Sequence, residues 1–594
     1  MRRMNKPWSI STTVRNPERL RYFLSVLKIL EGEEFNEDCQ KKYQIILIQK
    51  KLYIPTNIPS EYTEYYKYAA KSMPIHVATK IFEYQNYRDP PMRGRQSVNP
   101  LNKLGFAIAR KGYGKVKITK LGDLFLKGDY DISFVFFKSL MKLQFPNQWS
   151  GDYEEKDGFN ITPFIAILHL MYRLNNLCKR GGLTKEEFSL FVPTLINYNN
   201  IDEQVERILH YRKFKNKEDK RVFTNNYLKK FYGTDDVSIK KMKNLLDYGD
   251  NTIRYLRLTK YFQVKTDILG SHWWIELEPS RMTEIEQILR LYDGSSLKFK
   301  NSKEYIEWIS NIDKPELPWE EVSNLRTIAT GLKKMVSEYK KNSKISFSEE
   351  ESRLIDQGIE LFSKEDLNHY IANLRTLNMN LKIKVRKIEL RHNKQQINEA
   401  IMVLDDLKQI KKLDPETFEM LVKDILLMID DELLIKPNYP VDDSGEPISH
   451  APGNKADIEC YYKSFNAICE VTLDSSNMQW VREGQPVMRH LRQFESVNGN
   501  KEAICLFVAP IIKGDTYSTF FTAVKYGYDG KKQKIVPITT NQLAEILRRL
   551  LECLNEEEKF THEKLLELFN KIVDVDLVDG FSKWTNEIQS VVGI

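Results

Sequence analysis

Seven consecutive apolar residues, Ala503 to Ala509, constrain the fold of this chain more than any other segment. A strand with no polar face cannot lie half-exposed on a surface, so the run predicts a central strand of a sheet covered by helices on both sides. Lys534 to Ile538 offers a second strand of this kind, and Lys463 to Leu473, carrying Phe465, Ala467, Ile468, Cys469 and Val471, makes a third, short and mostly buried strand. Helical patterns from Gln542 to Cys553 and from Glu563 to Val573 supply the cover. The end of the chain therefore reads as an α/β sheet domain.

The third strand contains a carboxylate, Glu470, at the head of Glu470-Val471-Thr472. Burying an unpaired carboxylate costs several kcal/mol or drives its pKa upward, so Glu470 must face a cation, a basic side chain or a wet cleft. Asp457 lies on the preceding segment, Lys455 to Tyr462, which follows the turn signal Pro452-Gly453-Asn454. The spacing suits a hairpin with both acids on adjacent strands, where two carboxylates can hold Mg²⁺ against a phosphodiester. Such pairs also arise by chance in a chain with 82 acidic residues, and it is the setting that gives this one weight. Glu483 and His490 follow at once, the histidine on a helical stretch from Gln485 to Phe494, and Glu419 lies on a helix upstream. An imidazole with a pKa near ~6.5 suits orienting or deprotonating water, a role open to His490 and equally to His450 in the loop before Asp457. The other reading of either histidine is structural.

Net charge is +8, with Lys plus Arg totalling 90, a mild excess that favours a polyanionic partner. Cys39, Cys178, Cys460, Cys469, Cys505 and Cys553 show no CxxC spacing, so neither zinc nor a disulfide framework is expected and a reducing cytoplasm fits. No apolar segment follows Met1-Arg2-Arg3 in the manner of a signal peptide, and no run long enough to span a membrane occurs, so export and anchoring are not expected.

Upstream, helical patterns at Pro17 to Gly32 and Asn36 to Lys51 precede a predicted loop from Arg88 to Pro100. A strand at Leu104 to Ala109, the basic turn Arg110-Lys111-Gly112-Tyr113-Gly114-Lys115, a return strand at Val116 to Ile118, and Thr119 as N-cap of a helix make the wing of a winged helix-turn-helix. Arg110, Lys111, Lys115 and Lys117 would present charge to phosphates, with Arg93 and Arg95 on the approach loop; a solvated hairpin is the alternative. A second module runs from Ile161 to Asp293. Its apolar helix through Phe164, Ile167, Leu168 and Met171 breaks at Gly181-Gly182, and Thr184-Lys185-Glu186-Glu187 gives a capping signature. Tyr261 to Val264, Gly270, and Trp273 to Leu277 supply a second wing, preceded by Arg254, Arg257 and Lys260, which face either a DNA groove or solvent. From Pro315 to Leu413 the chain is nearly free of Gly and Pro and reads as a helical arm, with Leu374, Leu377, Leu381, Ile383, Val385, Ile388 and Leu390 on a partly buried face.

The order of helix, acid-bearing strands and helix resembles the PD-(D/E)xK nuclease core, with Ala456-Asp457 in place of Pro-Asp and Thr472 in place of Lys. The resemblance is closer to the AlwI family of type IIS restriction endonucleases and their nicking relatives, along nearly the whole chain. Lys6-Pro7-Trp8-Ser9-Ile10-Ser11, Arg15-Asn16-Pro17-Glu18, His450-Ala451-Pro452-Gly453-Asn454, Glu470-Val471-Thr472 and Pro486-Val487-Met488-Arg489-His490 carry it. It implies a multidomain α+β and α/β chain, with winged-helix recognition subdomains at 1–150 and 151–300, a helical linker at 301–412 and a nuclease domain at 413–594. Asp457 and Glu470 are then metal ligands, with Glu419, Glu483 and His490 completing the catalytic site. The implied cofactor is Mg²⁺, as two ions, with Mn²⁺ able to substitute.

The implied substrate is a short asymmetric double-stranded DNA site, GGATC, cut outside its boundary to leave 5′-phosphate and 3′-hydroxyl ends. Further implied are a cytoplasmic prokaryotic setting, a cognate DNA methyltransferase, and a homodimer or small nuclease subunit for the second strand. Without such a partner the chain is a strand-specific nicking enzyme. The competing class is a winged-helix regulator that has lost catalysis, which Thr472 and Ala456 permit.

Overall fold

The computed structural model describes residues 5–11, 14, 16–67, 71–128, 131–151, 153–178, 181–266, 273–342, 344–429, 433–448, 451, 455–499, 501–558, 560–573 and 580–593. Gly270, His450 and the turn Pro452-Gly453-Asn454 lie outside them. The chain divides into two units, one of Met1–Gln263, Trp274–Leu332 and Gly358–Ile371, the other of Val264–Trp273, Lys333–Gln357 and Ala372–Ile594.

In the first unit, helices Leu20–Ile29 and Glu37–Gln49 form where expected, the second capped by Asn36, whose side chain accepts from the Cys39 N–H. The loop expected from Arg88 to Pro100 is instead largely a helix, Met92–Lys103. Pro91 occupies its N-cap, where a missing N–H is no loss. Gly94 packs closely on the Glu37–Gln49 helix, since a Cβ there would stand 2.2 Å from the Gln40 carbonyl oxygen. Residues that punctuate a loop in the sequence thus serve as the entry and the contact point of a packed helix.

Next come β1 (Ala107–Ile108) and β2 (Lys117–Ile118), an antiparallel hairpin shorter than the sequence predicts. Thr119 caps the following helix, Lys120–Lys127, by accepting from the Gly122 N–H. Phe106, Phe125 and Phe136 pack ring against ring beneath it, with Phe106 and Phe125 stacked at 4.6 Å. Further on, the helix Pro163–Leu177 precedes β3 (Leu183–Thr184), and Thr184 and Glu187 form a reciprocal capping box at the start of the helix Lys185–Phe191. The long helix Ile239–Leu258 leads into β4 (Phe262–Thr266) and β5 (Trp273–Leu277), and the strand order is β3-β5-β4.

The stretch from 301 to 412 is helical, as Val322–Glu338, Lys364–Leu390 and Lys394–Asp405 show, yet it is not a body of its own. Residues 358–371 group with the first unit and those from 372 with the second. Leu374, Leu377, Leu381 and Leu390 are buried, whereas Ile383 is 48% exposed. Two residues beyond Leu381, it points to the other side of the helix.

The second unit is built in the order helix Pro415–Ile429, β6 (Leu434–Pro437), β7 (Ile458–Tyr461), β8 (Phe465–Val471), helix Gln485–Val497, β9 (Glu502–Ala509), β10 (Ile535–Thr539), then helices Thr540–Asn555 and His562–Val573. β6, β7 and β8 form an antiparallel meander, and β9 and β10 run parallel to β8 across the sheet order β10-β9-β8-β7-β6. The helix Gln485–Val497 provides the crossover that a parallel β8–β9 pair requires. Every residue of β8 is buried, and every residue of β9 except Glu502. Each fully buried Ile or Phe there, such as Ile504 or Phe507, contributes roughly 1.5–3 kcal/mol. Among the described residues no helix is long and apolar enough to cross a membrane.

Candidate active site

The hairpin register that pairs Ile458 with Cys469 sets Asp457 directly opposite Glu470. Residues opposed across an antiparallel pair project from the same face, so the β7–β8 hairpin alone brings the two acids together. The Val471 N–H donates to Asp457 Oδ2 at 2.7 Å, fixing that carboxylate at the mouth of the hairpin. Glu470 is only 6% exposed, and its Oε1 lies 2.8 Å from His490 Nδ1 on the crossover helix. A π-helical turn, Trp480–Gly484, leads into that helix and carries Glu483, whose Oε1 accepts from the Thr472 hydroxyl at 2.7 Å. Turns of this kind recur at functional sites. Glu419 is buried on the helix Pro415–Ile429, near enough for its charge to act on Glu470.

Burial, then the charge of Glu470, push the Asp457 carboxyl well above the usual carboxylate range, with the Val471 N–H opposing. Burial, then Glu483 and Glu419, do the same to Glu470, and Arg489 is the cation that opposes it. Glu483 is also raised by burial, with the Thr472 hydroxyl opposing. Crowded carboxylates in a low-dielectric pocket are an electrostatic deficit that a dication relieves. The donors are oxygens, which suits Mg²⁺ over a softer metal. Among the described residues no three His, Cys, Asp or Glu side chains are arranged to hold a metal ion, so the fit is that of a carboxylate pair whose remaining ligands come from water and phosphate. His490 also lines a cleft of about 400 Å³ with Lys455, Glu459 and Gln493.

Of the basic residues expected to meet DNA, Arg95, Arg110 and Lys111 converge on a cleft of about 810 Å³ in the first unit. Arg95 belongs to the Met92–Lys103 helix and is held by Asp89 at 2.7 Å and Gln40 at 3.2 Å. Arg93, Lys115 and Lys117 are exposed and do not line that cleft. Arg254, Arg257 and Lys260 are half-buried and are not part of it either. Arg254 pairs with Asp250 at 3.1 Å, and Lys260 follows the helix end with a φ of 61°. Gln96, Asn99 and Lys103 also line the cleft and were missed in the sequence. Their signal is the helical spacing of positions 92, 95, 96, 99 and 103, hidden by the surrounding Pro and Gly residues.

No curated protein matches this chain. Among solved structures, the small subunit (R.BspD6I2) of the heterodimeric restriction endonuclease R.BspD6I is 25% identical, covering 32% of this chain and 95% of its own, with a TM-score of 0.27. The restriction endonuclease FokI is 13% identical, covering 94% of this chain and 98% of its own, with a TM-score of 0.23. The sequence profile of the AlwI restriction endonuclease family matches residues 102–546, a span that contains Asp457, Glu470, Glu483 and His490. The chain therefore belongs to the AlwI restriction endonuclease family and is a site-specific DNA endonuclease.

Proposed function

We propose that this is a type IIS restriction endonuclease, whose first unit reads a short asymmetric DNA site through winged-helix modules and whose sheet domain hydrolyses phosphodiester bonds outside that site. The observation that carries the reading is the register placing Asp457 opposite Glu470, with Glu470 bonded to His490. The succession of helix, antiparallel meander, crossover helix and parallel strand supports a PD-(D/E)xK core.

In this reading Asp457 and Glu470 hold Mg²⁺, which when bound supplies positive charge to the phosphate oxygens and acidifies a water. As the Nδ1–H tautomer, His490 would donate to the metal-bound carboxylate of Glu470 and so set its direction, as the Thr472 hydroxyl does for Glu483. In that tautomer the imidazole lone pair is on Nε2, and it would be a base of the kind that the absent lysine would otherwise supply. Hydrolysis adds water at phosphorus and breaks the P–O3′ bond, leaving a 5′-phosphate and a 3′-hydroxyl. One such site cuts one strand. Cutting both requires a second copy of the chain or a separate nuclease subunit, and without either the enzyme nicks.

Asp457→Ala should retain specific DNA binding in a gel-shift assay while losing cleavage of plasmid in Mg²⁺ by several orders of magnitude, because it removes a ligand and no DNA-reading side chain. Cleavage at the wild-type rate would overturn the assignment.

A further inference from the structure

We infer that Gln96 and Asn99, on the cleft side of the Met92–Lys103 helix, read base edges of the target DNA. The inference rests on the reading that the first unit binds DNA and deepens it by naming the residues that confer sequence preference. Positions 92, 95, 96, 99 and 103 fall on one face of the helix, and all five line the cleft of about 810 Å³. Of its four cations three are already tethered to the protein, Lys111 being the exposed exception. Arg95 is held by Asp89, Lys103 reaches the Ser9 and Ile10 carbonyls at 3.4 and 3.3 Å, and Arg110 donates to the Gln148 carbonyl. By contrast, the side chains of Gln96 and Asn99 make no hydrogen bond among the described residues, Gln96 being half-buried and Asn99 exposed.

An amide presents a donor and an acceptor side by side, which matches the N6 and N7 edge of adenine in the major groove, whereas a tethered guanidinium is placed to steady the backbone. Glu37 also lines the cleft, and a carboxylate there argues against a simple phosphate clamp. Close packing of Gly94 on Gln40 holds the helix rigidly at the cleft, so two side chains one turn apart keep a constant separation.

The test profiles binding and cleavage by the full chain on a DNA library in which every base pair of the site is varied. Gln96→Ala and Asn99→Ala should each lower the preference for one A·T pair by roughly 10–100-fold, with non-specific affinity and its salt dependence unchanged. The isosteric Asn99→Asp keeps the side-chain shape and should shift preference at its position from adenine toward cytosine, whose N4 amino group is a donor. An unchanged base profile in all three variants, or a loss uniform across sequences, overturns the inference while wild-type specificity stands. Absence of any sequence preference in the wild type would instead remove the underlying reading of the first unit.

Discussion

His562 makes the stability of the second unit dependent on pH in a way that one substitution can isolate. Its side chain is 1% exposed and its ring stacks on Tyr462 with centroids 4.3 Å apart. Burial, the largest influence, pulls its pKa from 6.5 down to about 3, with a backbone interaction at Leu426 opposing. The folded protein therefore keeps this imidazole neutral, while the unfolded chain takes up a proton once the pH falls below about 6.5. Its stabilising contribution is whole above that value and is lost progressively as the pH falls toward about 3. At roughly 1.4 kcal/mol per pKa unit the full window is worth about 5 kcal/mol, of which about 2 kcal/mol is gone by pH ~5. His562→Phe keeps an aromatic ring against Tyr462 and cannot be protonated. Hydrogen exchange of the β7 to β9 amides, read as an opening free energy, should show the wild type losing about 2 kcal/mol more than the variant between pH ~7 and ~5. Equal losses in the two proteins would refute the argument that burial holds His562 neutral.

Glu470→Gln removes one of several buried, mutually repelling carboxylates, so the metal-free protein should melt higher than wild type while cleavage is lost. Mg²⁺ should raise the melting temperature of the wild type and leave that of the variant unchanged, which differential scanning fluorimetry would report. Gly94→Ala drives a methyl to 2.2 Å from the Gln40 carbonyl oxygen, so the Met92–Lys103 helix must shift; about 1–3 kcal/mol of stability and much of the site-specific affinity should go with it. Lys115→Ala, at an exposed position, should weaken binding equally across sequences and reduce the slope of log affinity against log salt by about one, as measured by fluorescence anisotropy.

What the sequence determined by itself is what local chemistry controls. The uniform apolar run of β9 could only be a central strand, and Thr119 and Thr184 cap helices because a hydroxyl three residues from an unsatisfied N–H needs no distant partner. The pairing of Asp457 with Glu470 was legible for the same reason, since a hairpin's register follows from its own two strands. What tertiary structure decided lies between segments far apart in the chain. Pro91, Gly94 and Pro100 read locally as breakers, yet packing against Gln40 outweighs that propensity and turns the stretch into a helix with a polar face on a cleft. The bonds from His490 to Glu470 and from Thr472 to Glu483 depend on where a crossover helix lands on the sheet. Spacing along the chain cannot encode that landing, because side-chain hydrogen bonds are set within tenths of an ångström by the packing of a whole core.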